Sequence, residues 1–233
     1  MRVGAVIVAA GRGRRFGDER PKQFVDLGGA SVLAWSVRAF AAHPEVERVV
    51  VVLSPARAAA PPAWLPEGVT VVPGGVARAD SVRAGVGALA EEIEVVLVHD
   101  GARPFPSAAL ISRVIGSAGR GPVIPVIGIE DTVKRVDGRG RVAETVPRED
   151  LRRVQTPQGF PREVLARTHA LGDGAAWAEH DADSLTDDAM LCERLGIDVA
   201  TVEGDPSNLK ITTPRDLAVA RRMVESGVIP GRK

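Results

Sequence analysis

The sequence predicts an α/β protein built on a doubly wound, mainly parallel sheet, and three observations carry that prediction. Short apolar runs, largely β-branched, recur at residues 3–9, 48–53, 69–72, 94–98, 121–126 and 197–202, as strands buried on both faces require. Helix-length amphipathic stretches separate several of them, the rhythm of right-handed crossovers. The first strand also runs straight into a glycine- and arginine-rich loop, at the end where open α/β sheets bind their ligands.

Composition narrows the function classes. The 233 residues can bury a sizeable core and fit one domain. Lys plus Arg and Asp plus Glu are both 30, so no global field draws the chain to nucleic acid or an acidic membrane, and any anion site is local. Aromatics are 3% with no Tyr, which argues against a base-stacking platform. The single cysteine, Cys192, cannot form an internal disulfide, and no Cys/His spacing suggests zinc, so a reducing cytoplasm is expected. No apolar run is long enough to span a bilayer. The run at 3–10 has one basic residue before it and an arginine-rich loop after it, unlike a signal peptide.

Each element has its own reason. After strand 3–9, Gly11, Gly13 and Gly17 bare backbone N–H groups that can close on an anion, while Arg12, Arg14, Arg15, Arg20 and Lys22 add positive charge. The position three after Gly13 is Phe16 and the chain has no Gly-Lys pair, so neither a dinucleotide fingerprint nor a P-loop fits. A phosphate loop of another kind is expected, although the glycines also suit an ordinary turn. Ser31 caps a helix to Phe40, ended by His43-Pro44. Prolines break residues 54–67 before the third strand. Gly74 and Gly75 open a helix to about Glu91, with Arg78 and Ser81 on its first turns, where a plain loop and cap is the simpler reading.

The central strand ends in His99-Asp100-Gly101-Ala102-Arg103-Pro104. An acidic residue there, level with the phosphate loop, is placed to hold Mg²⁺ against a triphosphate, which makes Asp100 the metal candidate; capping of the turn is its alternative. His99 reads as a core histidine satisfied by backbone. Ser107 starts a helix to about Ser117. Residues 129–144 alternate as a β-hairpin around Asp137-Gly138 with little apolar surface, so the hairpin should lean on the parent sheet or on another copy of the chain. Pro161 begins a helix to about Leu171. The His180-Asp181-Ala182-Asp183 stretch reads as solvated loop rather than metal ligands. Thr186 caps a helix from Asp187 to Leu195, and Pro214 opens the last helix, to about Ser226. Of the basic residues only Lys22, Lys134, Lys210 and Lys233 are lysines, and a chain so biased to arginine keeps lysine where a compact ammonium is wanted.

Ala9-Ala10-Gly11-x-Gly13-x-Arg15, Pro21-Lys22-Gln23, Gly74-Gly75, Arg78-x-x-Ser81-Val82, His99-Asp100-x-Ala102-Arg103-Pro104, Gln155-Thr156-Pro157-Gln158, Thr186-Asp187 and Asn208-Leu209-Lys210-Ile211-Thr212 together resemble the 2-C-methyl-D-erythritol 4-phosphate cytidylyltransferase family of the non-mevalonate isoprenoid pathway. The resemblance covers almost the whole chain. It implies one nucleotidyltransferase-type domain over residues 1–233, with a protruding β-arm at about 129–152 that makes a homodimer. It implies CTP and a polyol phosphate as substrates, Mg²⁺ or another divalent cation as cofactor, and neither nucleic acid nor membrane as partner.

Carried over by position, Ala9, Ala10, Gly11, Gly13, Gly75, Ser81 and Gly101 would contact the nucleotide, and Asp100 would face its metal and sugar-phosphate region. Arg15, Lys22 and Lys210 would hold the triphosphate and, with Arg148, carry catalysis. Arg103, Thr132, Arg148, Thr156, Thr186 and Lys210 would surround the acceptor. Two positions depart from the family pattern: Val76 stands where an acidic residue is often found, and Gly101 where alanine is usual. Two alternatives stay open at this point. One is a cytidylyltransferase for another polyol phosphate such as ribitol 5-phosphate; the other is a non-catalytic nucleotide sensor, which the presence of both Lys22 and Lys210 disfavours.

Overall fold

The computed structural model describes residues 1–11, 21–171 and 187–229. Gly13, Arg15, the 180–183 stretch and Thr186 lie outside the described residues. Strand β1 (Val3–Val8) is followed by a 3-10 turn at Lys22–Phe24, the two-residue strands β2 (Asp26–Leu27) and β3 (Ala30–Ser31), α1 (Val32–Ala41), β4 (Arg48–Leu53), the single turn α2 (Pro55–Ala58), β5 (Thr70–Pro73), α3 (Arg78–Gly87), β6 (Val95–Asp100), α4 (Ala108–Ala118) and β7 (Val123–Gly128). Then come β8 (Val133–Val136), β9 (Val142–Val146), β10 (Arg152–Val154), β11 (Gln158–Pro161), α5 (Arg162–Leu171), α6 (Ala189–Arg194), β12 (Ala200–Glu203) and α7 (Pro214–Glu225).

Alternation along the strands decides the layers. Val3, Ala5 and Ile7 of β1, with Val49, Val51 and Leu53 of β4 and Val95 and Leu97 of β6, face one way and pack on α1 and α4 through Leu33, Phe40, Leu110 and Ile111. The residues between them, Val6, Val50, Val52, Val96 and Val98, face the other way, onto Val82 and Val86 of α3 and Leu165 of α5. Burying each such Leu, Val or Phe side chain is worth roughly 1.5–3 kcal/mol. The strand order is β10-β7-β11-β6-β1-β4-β5, with β12 also paired to β7. Strands β6, β1, β4 and β5 run parallel, as does β12 beside β7. The mainly parallel sheet expected from sequence is therefore present.

Strands β10 and β11, both antiparallel, were not legible. They are three and four residues long, and Gln155-Thr156-Pro157, with a cis peptide before Pro157, parts them. Helix starts follow the caps: Ser31 Oγ accepts Ala34 N–H at 3.2 Å, Ser107 Oγ accepts Leu110 N–H at 3.3 Å and Thr213 Oγ1 accepts Asp216 N–H at 3.2 Å. Three boundaries are corrected. Helix α3 stops at Gly87, because the Arg162 guanidinium takes the carbonyls of Leu89, at 3.1 Å, and Ala90. Helix α6 starts at Ala189, because Asp187 Oδ1 accepts Met190 N–H at 3.1 Å and so acts as a cap rather than a first-turn residue. The hairpin turn spans 137–141 rather than two residues: Asp137 Oδ1 accepts the N–H groups of Arg139 and Arg141, both at 2.9 Å, and Gly140 takes φ +74°. Strands β8 and β9 form a two-stranded sheet of their own, exposed along most of its length and not paired with the parent sheet.

Candidate active site

The carboxyl ends of β1, β4, β5 and β6 open into a cleft of about 1020 Å³. Val8 to Gly11 form its floor, Ser54 and Gly74 to Arg78 one wall, and Asp100 to Ala102 with Lys210 and Thr212 the other. Crowding explains Gly74, Gly75 and Gly101, though not Gly11. A Cβ on Gly74 would sit 2.6 Å from Ala10 Cβ and 2.7 Å from Ser81 Oγ, and one on Gly75 would sit 2.2 Å from Asp80 Cβ. At Gly101 a Cβ would come within 2.8 Å of Leu33 Cδ1. Gln23 is 4% exposed and its Nε2 donates to Ala9 O at 2.8 Å and Gly11 O at 2.9 Å, stapling the end of β1 to the turn that carries Lys22.

Asp100 is the electrostatic centre. Lys210 Nζ lies 2.7 Å from its Oδ2, Arg78 Nη2 lies 3.8 Å from Oδ1, and Arg103 Nε lies 3.9 Å from Oδ2. Burial alone would raise its pKa, but Arg78, then Lys210 and Arg103, outweigh burial and hold the carboxyl well below the usual range. It is ionised at neutral pH. Lys210 can reach it because its segment is tied across the strand end. Ile211 N–H donates to Ala102 O at 2.8 Å, Asn208 Nδ2 to Thr156 O at 2.7 Å, and Arg103 Nη1 to Asn208 O at 2.8 Å.

His99, beside it, is fully buried, and burial pushes its pKa down to about 4. Its Nε2–H donates to Arg103 O at 3.0 Å, so Nδ1 accepts the Thr156 hydroxyl at 3.1 Å; that hydroxyl oxygen takes Asp100 N–H at 3.1 Å. A neutral ring bonded at both nitrogens is a core residue, not a base.

Ala9, Ala10, Gly11, Lys22, Gly75, Ser81, Asp100, Gly101 and Lys210 all line the one cleft. Thr156 and Arg103 lie behind it, 4% and 9% exposed, with Arg103 spanning the carbonyls of Asn208 and Val154. Thr132 and Arg148 are exposed on the arm and do not line the cleft of their own chain. Val76 stands fully exposed at the rim. Among the described residues, no group of three or more His, Cys, Asp or Glu gathers and Asp100 is the one acidic residue on the cleft lining.

Sequence reasoning named Arg78 and Gln23 only within motifs and gave no role to them or to Asp188. Arg78 Nη1 meets Asp188 Oδ2 at 2.6 Å across 110 residues of chain. A signal existed for Gln23, which follows Lys22 within a quoted motif. None existed for the pairing of Arg78 with Asp188.

Comparison with known proteins agrees with this geometry. The family model described as 2-C-methyl-D-erythritol 4-phosphate cytidylyltransferase matches residues 3–226. A protein of that name from Rhodococcus jostii is 47% identical over 225 residues, 96% of this chain and 95% of the other. One from Nocardia farcinica is 44% identical over 95% of this chain and 93% of its own. The crystal structure of the Thermus thermophilus protein of that name superposes with a TM-score of 0.80 at 38% identity, covering 97% of this chain and 100% of that one.

Proposed function

The chain belongs to the 2-C-methyl-D-erythritol 4-phosphate cytidylyltransferase family, and from that premise we infer how its cleft works. It transfers the cytidylyl group of CTP to 2-C-methyl-D-erythritol 4-phosphate, giving 4-diphosphocytidyl-2-C-methyl-D-erythritol and pyrophosphate. An oxygen of the acceptor phosphate forms a bond to the α-phosphorus of CTP, and the bond to the bridging oxygen breaks with its electron pair leaving on pyrophosphate. The nucleophile is already an anion, so no base is needed. The work is to bring two mutually repelling anions together and to stabilise charge on the α-phosphate oxygens.

Lys22 and Lys210 hold the triphosphate, a role that Arg15, outside the described residues, shares by the resemblance. Gly75 and Ser81 face the base, and the backbone of Ala9 to Gly11, with Gly101, takes the sugar and phosphates. The observation that carries this reading is the meeting of Lys22, Lys210 and Asp100 over the Val8 to Gly11 floor of one cleft. A divalent cation, Mg²⁺, fits the donor set. Asp100 is an ionised hard-oxygen ligand with Arg78 Nη2 3.8 Å from its Oδ1, and Mg²⁺ takes one or two carboxylates plus substrate phosphates. Bound, it would neutralise charge on the phosphates of CTP.

The arm at about 129–152 is the dimer contact of a chain that otherwise reads as one domain. Its separate, exposed two-stranded sheet supports this, since an isolated hairpin is marginal in water. Thr132 and Arg148 then serve the partner's cleft; Thr186, assigned to the acceptor by the resemblance, lies outside the described residues. The chain works in the cytoplasm, which suits a buried free thiol; among the described residues no helix is long and apolar enough to cross a membrane.

Purified protein given Mg²⁺, each of CTP, UTP and ATP, and methylerythritol or ribitol phosphate tests the whole reading by pyrophosphate release. Fast release with CTP and methylerythritol phosphate alone is expected. Equal turnover of UTP would move the base away from Gly75 and Ser81, because polar groups that read a base edge discriminate strongly.

A further inference from the structure

Arg78 opens α3 at the cleft wall with its side chain 26% exposed, and the two ends of its guanidinium have different surroundings. Nη1 is fixed on Asp188 Oδ2 at 2.6 Å, and that carboxylate is 1% exposed. Asp188 is itself held on every side. Its Oδ1 accepts His169 Nε2–H at 3.1 Å, its backbone N–H and that of Ala189 donate to Gln158 Oε1 at 3.2 and 3.3 Å, and Gln158 Nε2 donates to Asp187 Oδ2 at 2.8 Å. Nη2 meets Asp100 Oδ1 at 3.8 Å, too long for a hydrogen bond. One end of the fork is locked, and the other is presented to the cleft.

A buried ion pair is weak evidence for stability, because desolvating both charges costs about what their attraction returns. Here the carboxylate is enclosed while the cation stays partly open, which is the arrangement that aims a donor. We propose that Arg78 contacts an anionic oxygen at the reacting phosphate, and that Asp188, backed by His169, is a positioning residue that acts through it. This rests on the cytidylyl-transfer reading. Arginine suits the role because one nitrogen can be anchored while another binds.

Steady-state kinetics in both substrates, with thermal midpoints measured alongside, test it. Removing a preorganised donor lowers kcat on the order of a hundredfold, so Arg78→Ala should lose about that much kcat with a smaller change in either KM, and Arg78→Lys should recover only part. Asp188→Asn should lose about tenfold, and the double variant should match Arg78→Ala alone rather than reach about a thousandfold, since residues acting as a unit are not additive. If Asp188→Asn does not fold, His169→Phe replaces it, with a smaller loss that vanishes in the Arg78→Ala background. Wild-type kcat in folded Arg78→Ala overturns the contact, and losses that multiply overturn the positioning role. Wild-type protein inert towards CTP overturns the reaction reading itself, and this one with it.

Discussion

Two lysines and one histidine give the cleft its most direct tests. Lys22 lines it, and Lys210 reaches Asp100 at 2.7 Å from a segment stitched to the end of β6. Lys22→Ala and Lys210→Ala should each lower kcat on the order of a hundredfold while the circular dichroism spectrum stays that of wild type. Unchanged turnover in either would remove that lysine from catalysis. His99 bears on stability instead. Its folded pKa is about 4, against about 6.5 unfolded, so between those values the unfolded chain binds more protons and stability falls as pH drops. From pH 8 to pH 5 this one group should cost about 2 kcal/mol, fully regained above pH 6.5. Denaturant unfolding of wild type and His99→Gln at both pH values checks it: parallel losses would show that His99 is not the group responsible. Asp100 and Lys22 were legible in the sequence because a strand end and a scarcity of lysine each single out a residue. Arg78 was not, because its partners lie 22 and 110 positions away.

Gly85 shows why α3 sits where it does. A Cβ there would come 2.3 Å from Val6 Cγ1 and 3.0 Å from Val52 Cγ2, so the helix lies on β1 and β4 with no room for a methyl group. Two effects compete in Gly85→Ala: alanine favours the helix by about 1 kcal/mol, and overpacking costs about 1–3 kcal/mol. Overpacking wins, because Val6 and Val52 are both fully buried and cannot retreat. The variant should melt earlier and lose activity as well, since α3 carries Arg78 and Ser81; a raised midpoint would show that the sheet yields. Helices with a Ser or Thr cap were placed from sequence to within a residue at their starts, while the helix capped by Asp187 and the strands interrupted at Pro157 were not. Asp187, which caps α6, is held by Gln158 Nε2, an interaction that spans 29 residues and leaves no local pattern.

At the scale of the molecule, the arm decides whether the site is shared. If Arg148 serves the partner's cleft, inactive Lys22→Ala and Arg148→Ala chains that exchange partners will form dimers with one doubly damaged and one intact site. Random reassortment makes about half the dimers mixed, so activity should return to about a quarter of wild type, given two-fold symmetry. Mixed dimers verified by mass spectrometry but without activity would confine Arg148 to its own chain.

The cleft draws on residues 8–11, 22–23, 54–55, 74–78, 81, 100–102, 210 and 212, so its contributors are spread along nearly the whole chain. During synthesis the floor and Asp100 leave the ribosome more than a hundred residues before Lys210. If both lysines grip the nucleotide, it stabilises only a chain that already includes Lys210, and a nascent protein stalled before Lys210 should gain no stability from CTP.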